Sequence, residues 1–353
     1  MDASELLTSV VERKASDLHI IVGMYPTLRI EGRLTPIESE PIVTAEFASA
    51  FVQALLTANQ KEIYANNKEL DFSYRFGDLS RFRINVYHQK GTPAAALRLI
   101  PVKIPTINDL RLPSMVHNFT QLKQGLILVT GPTGHGKSST LSAIIEEINN
   151  TRTEHIITIE DPIEFVHASK KSIISQRELH SDTHSWDVAL RSVLREDPNI
   201  VLVGEMRDYE TIAAAITVAE TGHLVLATLH TNSASQTIDR IVDVFPEHQQ
   251  AQVRMQLSNS LEVVLSQRLI PTNDGGRVPA TEILLGNSAV RNTIREGKSH
   301  QIDNIIQTSS DIGMMTLEAS LAYWVKNGTV SLEVAKEHSF RPNELVRIMQ
   351  GGA

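Results

Sequence analysis

The chain has 353 residues, 41% of them hydrophobic and 5% aromatic, which is enough for two domains of soluble α/β type. Its 33 basic and 41 acidic side chains leave a formal charge of −8, so the chain as a whole does not attract nucleic acid or anionic lipid. The lack of cysteine excludes disulfides, thiolate metal sites and cysteine nucleophiles, no run reaches the ~18 apolar residues of a membrane span, and the start Met1-Asp-Ala-Ser-Glu has no basic region before an apolar stretch, so a cytosolic protein is expected.

Residues 1–100 read as a small α+β unit. Leu6, Leu7, Val10 and Val11 form a helical stripe, residues 17–22 a strand, and Gly23 to Pro26 a turn. A second strand over 27–30 turns at Glu31-Gly32, and Thr44 precedes a helix carrying Phe47, Phe51, Ala54 and Leu55. Three extended segments follow. Asp71, Ser73 and Arg75 alternate with Phe72, Tyr74 and Phe76; Arg81, Arg83 and Asn85 alternate with Phe82, Ile84 and Val86; Arg98 stands between Leu97 and Leu99. An antiparallel sheet results, with one apolar face and one rich in arginine. That second face is either solvated, as in most half-buried sheets, or it offers Arg81, Arg83 and Arg98 to nucleotide phosphates or an acidic surface, since the guanidinium fork binds phosphate oxygens bidentately.

Residues 101–113 hold three prolines and read as an extended linker, with a domain boundary near 100–115. The apolar run 126–130 then stops at Gly131-Pro-Thr-Gly-His-Gly136-Lys137-Ser138, and Leu141, Ile144, Ile145 and Ile148 mark one face of the helix that follows. The G-x-x-x-x-G-K-S spacing between strand and helix suits a phosphate cradle. Its glycines turn backbone N–H groups inward, the helix N-terminus favours the anion, Lys137 neutralises charge and Ser138 offers a hydroxyl to Mg²⁺. Further strands are expected over 155–159, 200–203 and 223–229, with helices around 186–195 and 209–220. This alternation implies a parallel sheet covered on both faces. Function in such sheets gathers beyond the carboxyl ends of the strands. Here four strands end in Lys137 and Ser138; in Glu160, Asp161 and Glu164; in Glu205; and in His230. In the tail, Leu317, Leu321, Trp324 and Val325 lie on one helical stripe.

Phosphate hydrolysis needs charge neutralisation, an oriented water and a place for a proton. Lys137, with Mg²⁺ held through Ser138, supplies the first. Two carboxylates compete for water activation. Glu164 is favoured as general base and Glu205 as the acid on the Mg²⁺ side, with their exchange left open. His230 either reports the terminal phosphate or is a hydrogen-bonded structural residue. His223 and His230 lack the spacing of a zinc pair, and His135 reads as tolerated in the loop.

Together these residues resemble the secretion-superfamily ATPases, most closely the type IV pilus retraction ATPases of the PilT family. The resemblance rests on Ala15-Ser-Asp-Leu-His19, Ser80-Arg-Phe-Arg-Ile-Asn85, the loop at 131–138, Ile159-Glu-Asp-Pro-Ile-Glu-Phe165, the Walker B segment from Arg195 to Asp208, the segment from Thr221 to Asn232, and Thr237 to Pro246. It implies a PAS-like domain over 1–100, a linker over 101–118, a RecA-like ATPase core over 119–285 and C-terminal helices over 286–353. It further implies a homo-hexamer that binds ATP and Mg²⁺ and acts, at the cytoplasmic face of the inner membrane, on a pilus platform protein to withdraw pilin from the fibre. Nucleotide would be held by Gly131, Pro132, Thr133, Gly134, His135, Gly136, Lys137, Ser138 and Ser139. No nucleic-acid partner is implied, and any membrane contact runs through the platform protein. The chain departs from the family pattern at His135, Ser139, Thr293 and Leu179-His-Ser181. Arg291 and Arg295, four apart on a helix, are read as available to an acidic partner surface. Rival readings are a pilus assembly or type II secretion ATPase, which usually carries a four-cysteine zinc element, and, from other classes, a nucleic-acid translocase or a non-hydrolysing scaffold.

Overall fold

A computed structural model describes residues 2–30, 32–77, 80–100 and 103–351. The expected turn residue Glu31 and the start of the expected linker, Pro101 and Val102, lie outside these. The chain folds into two compact units, one holding the residues up to Lys103 together with Pro162–Val166, the other Ile104–Asp161 and the residues from His167 onward.

The first unit contains helix α1 (Ala3–Glu12), strands β1 (Asp17–Ile20), β2 (Thr27–Ile30) and β3 (Arg33–Pro36), helices α2 (Ala45–Leu55) and α3 (Ala58–Asn67), and strands β4 (Glu69–Phe76), β5 (Ser80–Gln89) and β6 (Thr92–Ile100). Its six strands form one antiparallel sheet in the order β3-β2-β1-β6-β5-β4. Local signals start the helices: Asp2 and Glu5 make a capping box on α1, and the Thr44 hydroxyl accepts the Phe47 amide on α2. The expected alternation holds, with Phe72, Phe82, Ile84, Val86 and Leu97 buried beneath α1 and α2. Two helix faces differ from expectation. Val11 is exposed, and α2 buries Ala48 and Val52 rather than Ala54, because its inward face also follows the i+4 and i+1 neighbours of Phe47 and Phe51. Strand β3 and helix α3 have no counterpart in the sequence reading; α3 buries only Tyr64 and so has no apolar stripe to betray it.

In the second unit, residues 104–115 are turn-rich, and Ile107 and Leu112 are buried in that unit's core. After α4 (Val116–Phe119) come β7 (Gly125–Thr130), α5 (Lys137–Thr151), β8 (His155–Glu160), β9 (Ile173–Glu178), α6 (Trp186–Val193), β10 (Ile200–Val203), α7 (Tyr209–Glu220) and β11 (Leu224–Leu229). Helices α8 (Ala234–Asp243) and α9 (Glu247–Ser260) lead into the hairpin of β12 (Leu261–Pro271) and β13 (Arg277–Leu285). Helices α10 (Ser288–Arg295), α11 (Ile302–Thr308), α12 (Leu317–Lys326), α13 (Leu332–His338) and α14 (Pro342–Met349) complete the chain. The sheet order is β13-β12-β7-β11-β10-β8-β9, parallel throughout except at β13. Both faces are covered, as the near-continuous apolar strands require. Leu126 and Leu128 point into the core under α6 to α9, Ile127 and Val129 into the core under α5. On α12, Leu317 and Leu321 are buried and Trp324 and Val325 pack beside them over β12 and β13, as the stripe predicts.

Candidate functional site

In the second unit β7, β11, β10 and β8 lie side by side and parallel, so their carboxyl ends share one edge of the sheet. Both neighbours of β7 come later in the chain, the arrangement that opens a crevice beyond a strand end. The loop leaving β7 is shaped by two glycines. Gly131 has φ 143° and passes so near β12 that a Cβ there would lie 2.2 Å from the Gln267 carbonyl oxygen. Gly136, at φ 81°, is the N-cap of α5. Thr133 and Gly134 form the exposed crest; Pro132 and His135 are half-buried, as are Ser138 and Ser139 in the first turn of α5. Lys137 is buried, and its ammonium donates to the carbonyls of Gly131 at 2.9 Å and Pro132 at 3.1 Å.

Glu205 is held by its backbone neighbours. The Gly204 amide donates to the Ile159 carbonyl of β8, the Gly204 carbonyl accepts the Thr228 hydroxyl of β11 at 2.6 Å, and the Met206 amide donates to the Thr228 carbonyl. Glycine suits position 204, because a Cβ would meet the Ile159 oxygen at 3.2 Å. The Glu205 carboxylate accepts from Arg207 Nη2 at 2.7 Å and lies 3.1 Å from His230 Nε2. Burial raises its pKa, but the bond and charge of Arg207, with His230, outweigh that and hold the carboxyl below its usual range.

His230 joins the two groups. Its Nδ1 lies 3.4 Å from Lys137 Nζ and 3.3 Å from the Thr133 hydroxyl. An ammonium only donates, so Nδ1 accepts and the ring proton sits on Nε2, facing Glu205. The sequence left His230 between a sensing and a structural role; the fold places its ring between the loop lysine and the carboxylate. A single imidazole thus lies within contact distance of both Lys137 and Glu205.

Glu164, Arg81 and Arg83 fall in the first unit. Glu164 is half-buried between buried Ile163 and Phe165. On the arginine face Arg83 donates to Asp71 from Nη2 (2.7 Å to Oδ2) and from Nε (3.3 Å to Oδ1), Arg98 meets Asp17 at 2.9 Å and Arg81 donates to the Ser73 hydroxyl.

Two sequence readings need correction. Arg291 is not presented to a partner: it donates to the carbonyls of Gly286, Ser258 and Asn259 and pairs with Glu262 at 2.7 Å, closing α10 onto the end of α9 and the start of β12. Nor is His135 merely tolerated, since its Nδ1 accepts the Leu269 amide at 2.9 Å. Burial lowers the pKa of this imidazole, and the charges of Arg268, Lys137, Arg277 and His338 lower it further, which preserves the accepting form.

The sequence reading missed the β12–β13 hairpin and with it Gln267, whose side chain bonds to the loop. Two β-rich runs separated by Asn273-Asp-Gly-Gly276 were the available signal. Beside the loop, Gly136, Ser139, Thr140, Leu269 and Arg277 help to line a cavity of about 510 Å³, within the range of small-molecule sites.

The family described as type II/IV secretion system protein matches residues 2–320. The chain is 47% identical to the type IV pilus retraction ATPase PilT of Pseudomonas aeruginosa, over 97% of this chain and 99% of that one. It is also 47% identical to a twitching motility protein of Neisseria gonorrhoeae, over 95% and 90% of the two chains. Among solved structures, one of the pilus retraction motor PilT with bound ADP superposes with a TM-score of 0.92 at 46% identity, covering 98% of this chain and 99% of that one.

Proposed function

The chain belongs to the type II/IV secretion system protein family, in its pilus-retraction branch, and from that premise we propose that it is a hexameric motor that hydrolyses ATP to power pilus retraction. The observation that carries the reading is the contact chain from Lys137 through His230 to Glu205 at the shared strand edge, beside a glycine loop that packs so tightly on β12 that position 131 has no room for a Cβ. A motor must register whether the terminal phosphate is present, and one imidazole spans the group that would bind it and a carboxylate on the neighbouring strand.

On this reading the first unit is PAS-like and the second RecA-like. Residues 131–139 hold the ATP phosphates, with Lys137 leaving the loop carbonyls to meet them. Ser138 and Glu205 offer the hard oxygen donors that Mg²⁺ takes, and the ion would supply further charge neutralisation on the phosphates. Glu205, held below the usual carboxylate range by Arg207 despite its burial and engaged by His230, is already committed to partners, which leaves Glu164 as the proposed general base. Arg81 and Arg83 would reach phosphate by exchanging the partners they hold in their own sheet. Among the described residues no helix is long and apolar enough to cross a membrane. On the proposed reading the motor acts on an inner-membrane platform protein from the cytoplasmic face.

The test pairs ATP turnover of the purified chain with complementation of a retraction-deficient strain, scored by twitching. The native chain should hydrolyse ATP and restore twitching, and Lys137→Ala should do neither. Near-normal turnover by Lys137→Ala would sink the phosphate assignment, and turnover without restored twitching would move the chain to another secretion machine.

A further inference from the structure

Strand β7 pairs with β12 only as far as Thr130, which lies opposite Ser266 with their hydroxyls 2.9 Å apart. There β7 turns away into the glycine loop, while β12 runs on to Pro271, paired on its other side with β13. On the side β7 has left, the backbone of β12 needs other partners, because a buried amide or carbonyl without one is costly. The loop supplies them. His135 Nδ1 takes the Leu269 amide, as described above, and the side chain of Gln267, only 3% exposed, bonds back to the loop. Its Nε2 donates to the His135 carbonyl at 2.8 Å, and its Oε1 accepts the Thr140 hydroxyl at 2.8 Å. One amide thus ties β12 both to the last residue before Gly136 and to the first turns of α5. The same face of Gly136 is tight: a Cβ there would stand 3.0 Å from Gln267 Nε2.

We propose that Gln267 is a positioning residue for nucleotide, holding the loop at 131–136 and the amino-terminal turns of α5 in the phosphate-receiving shape before nucleotide arrives. The inference rests on the nucleotide-binding reading of the loop. A loop already curled loses less freedom on binding, so the clasp acts on affinity. The Gln267 side chain bonds to His135 and Thr140, and reaches the Lys137–His230–Glu205 chain only by way of the loop, so its removal weakens binding without removing a group from the chemical step.

Gln267→Met keeps the length and volume of the side chain while deleting both bonds. With the full chain and MgADP as probe, the dissociation constant of this variant should rise about tenfold, and the KM for ATP with it, while kcat stays within about threefold. Thr140→Val deletes one of the two bonds from the other side. It should show a smaller rise, and the double variant should bind no worse than Gln267→Met alone, because the two residues act as one unit. A Gln267→Met protein with a native melting curve and unchanged MgADP affinity overturns the clasp, as does a fall in kcat at unchanged KM. If Gln267→Met does not fold, Thr140→Val decides, and unchanged affinity there overturns the proposal. A native chain that binds no MgADP overturns the nucleotide reading itself, an outcome distinct from equal binding by native chain and variant.

Discussion

Glu282 sets a pH dependence whose size follows from its position. It stands on β13, 4% exposed, and its Oε1 accepts the amide of Ala234, the first residue of α8, at 2.7 Å. Burial pushes its pKa from 4.5 up to about 7, the Ala234 bond and Arg341 pulling it down and Asp303 and Glu318 pushing it up. The unfolded chain therefore loses this proton near pH 4.5 and the folded chain near pH 7. Stability linked to the group is intact below pH 4.5 and is lost as pH rises through 7. At about 1.4 kcal/mol per pH unit the full loss is about 3 kcal/mol, most of which falls between pH 5 and pH 8. Glu282→Gln removes the ionisation and keeps an acceptor for Ala234. In urea unfolding at the two pH values, the stability of the variant relative to the native chain should improve by about 2 to 3 kcal/mol from pH 5 to pH 8. Equal differences at both pH values would refute the assignment. Since α8 begins four residues after His230, the same titration bears on the segment that carries the proposed phosphate reporter.

For the general base, Glu164→Gln should leave ATP binding intact while turnover falls at least about 100-fold in a phosphate-release assay; the same phenotype from Glu205→Gln instead would exchange the two carboxylates. Arg291→Ala should lower stability by about 2 kcal/mol or more in thermal or urea unfolding, because three carbonyls and Glu262 lose their donor together; a variant of native stability would return Arg291 to the partner-binding reading.

The sequence by itself carried whatever depends on near neighbours along the chain. The apolar strands β7, β8, β10 and β11 declare a buried parallel sheet because both of their faces must be apolar. The glycine loop declares itself because φ near 80° or 140° admits little else, and the alternation in β5 shows which face is inward. The family motifs then placed Lys137, Glu205 and His230 at neighbouring strand ends. What only the tertiary structure decided were contacts between residues far apart in the chain. Strand β12 is interrupted by Ser266-Gln-Arg268, and each of those polar side chains finds its partner far away in the chain: Ser266 meets Thr130 of β7, Gln267 meets the glycine loop and α5 more than 120 residues earlier, and Arg268 donates to Asn232. His135, Arg291 and Glu282 look ordinary in the sequence for the same reason. The Leu269 amide, the carbonyls at the end of α9 and the amino terminus of α8 give each of them its role, and those groups come within reach only when the second sheet is assembled.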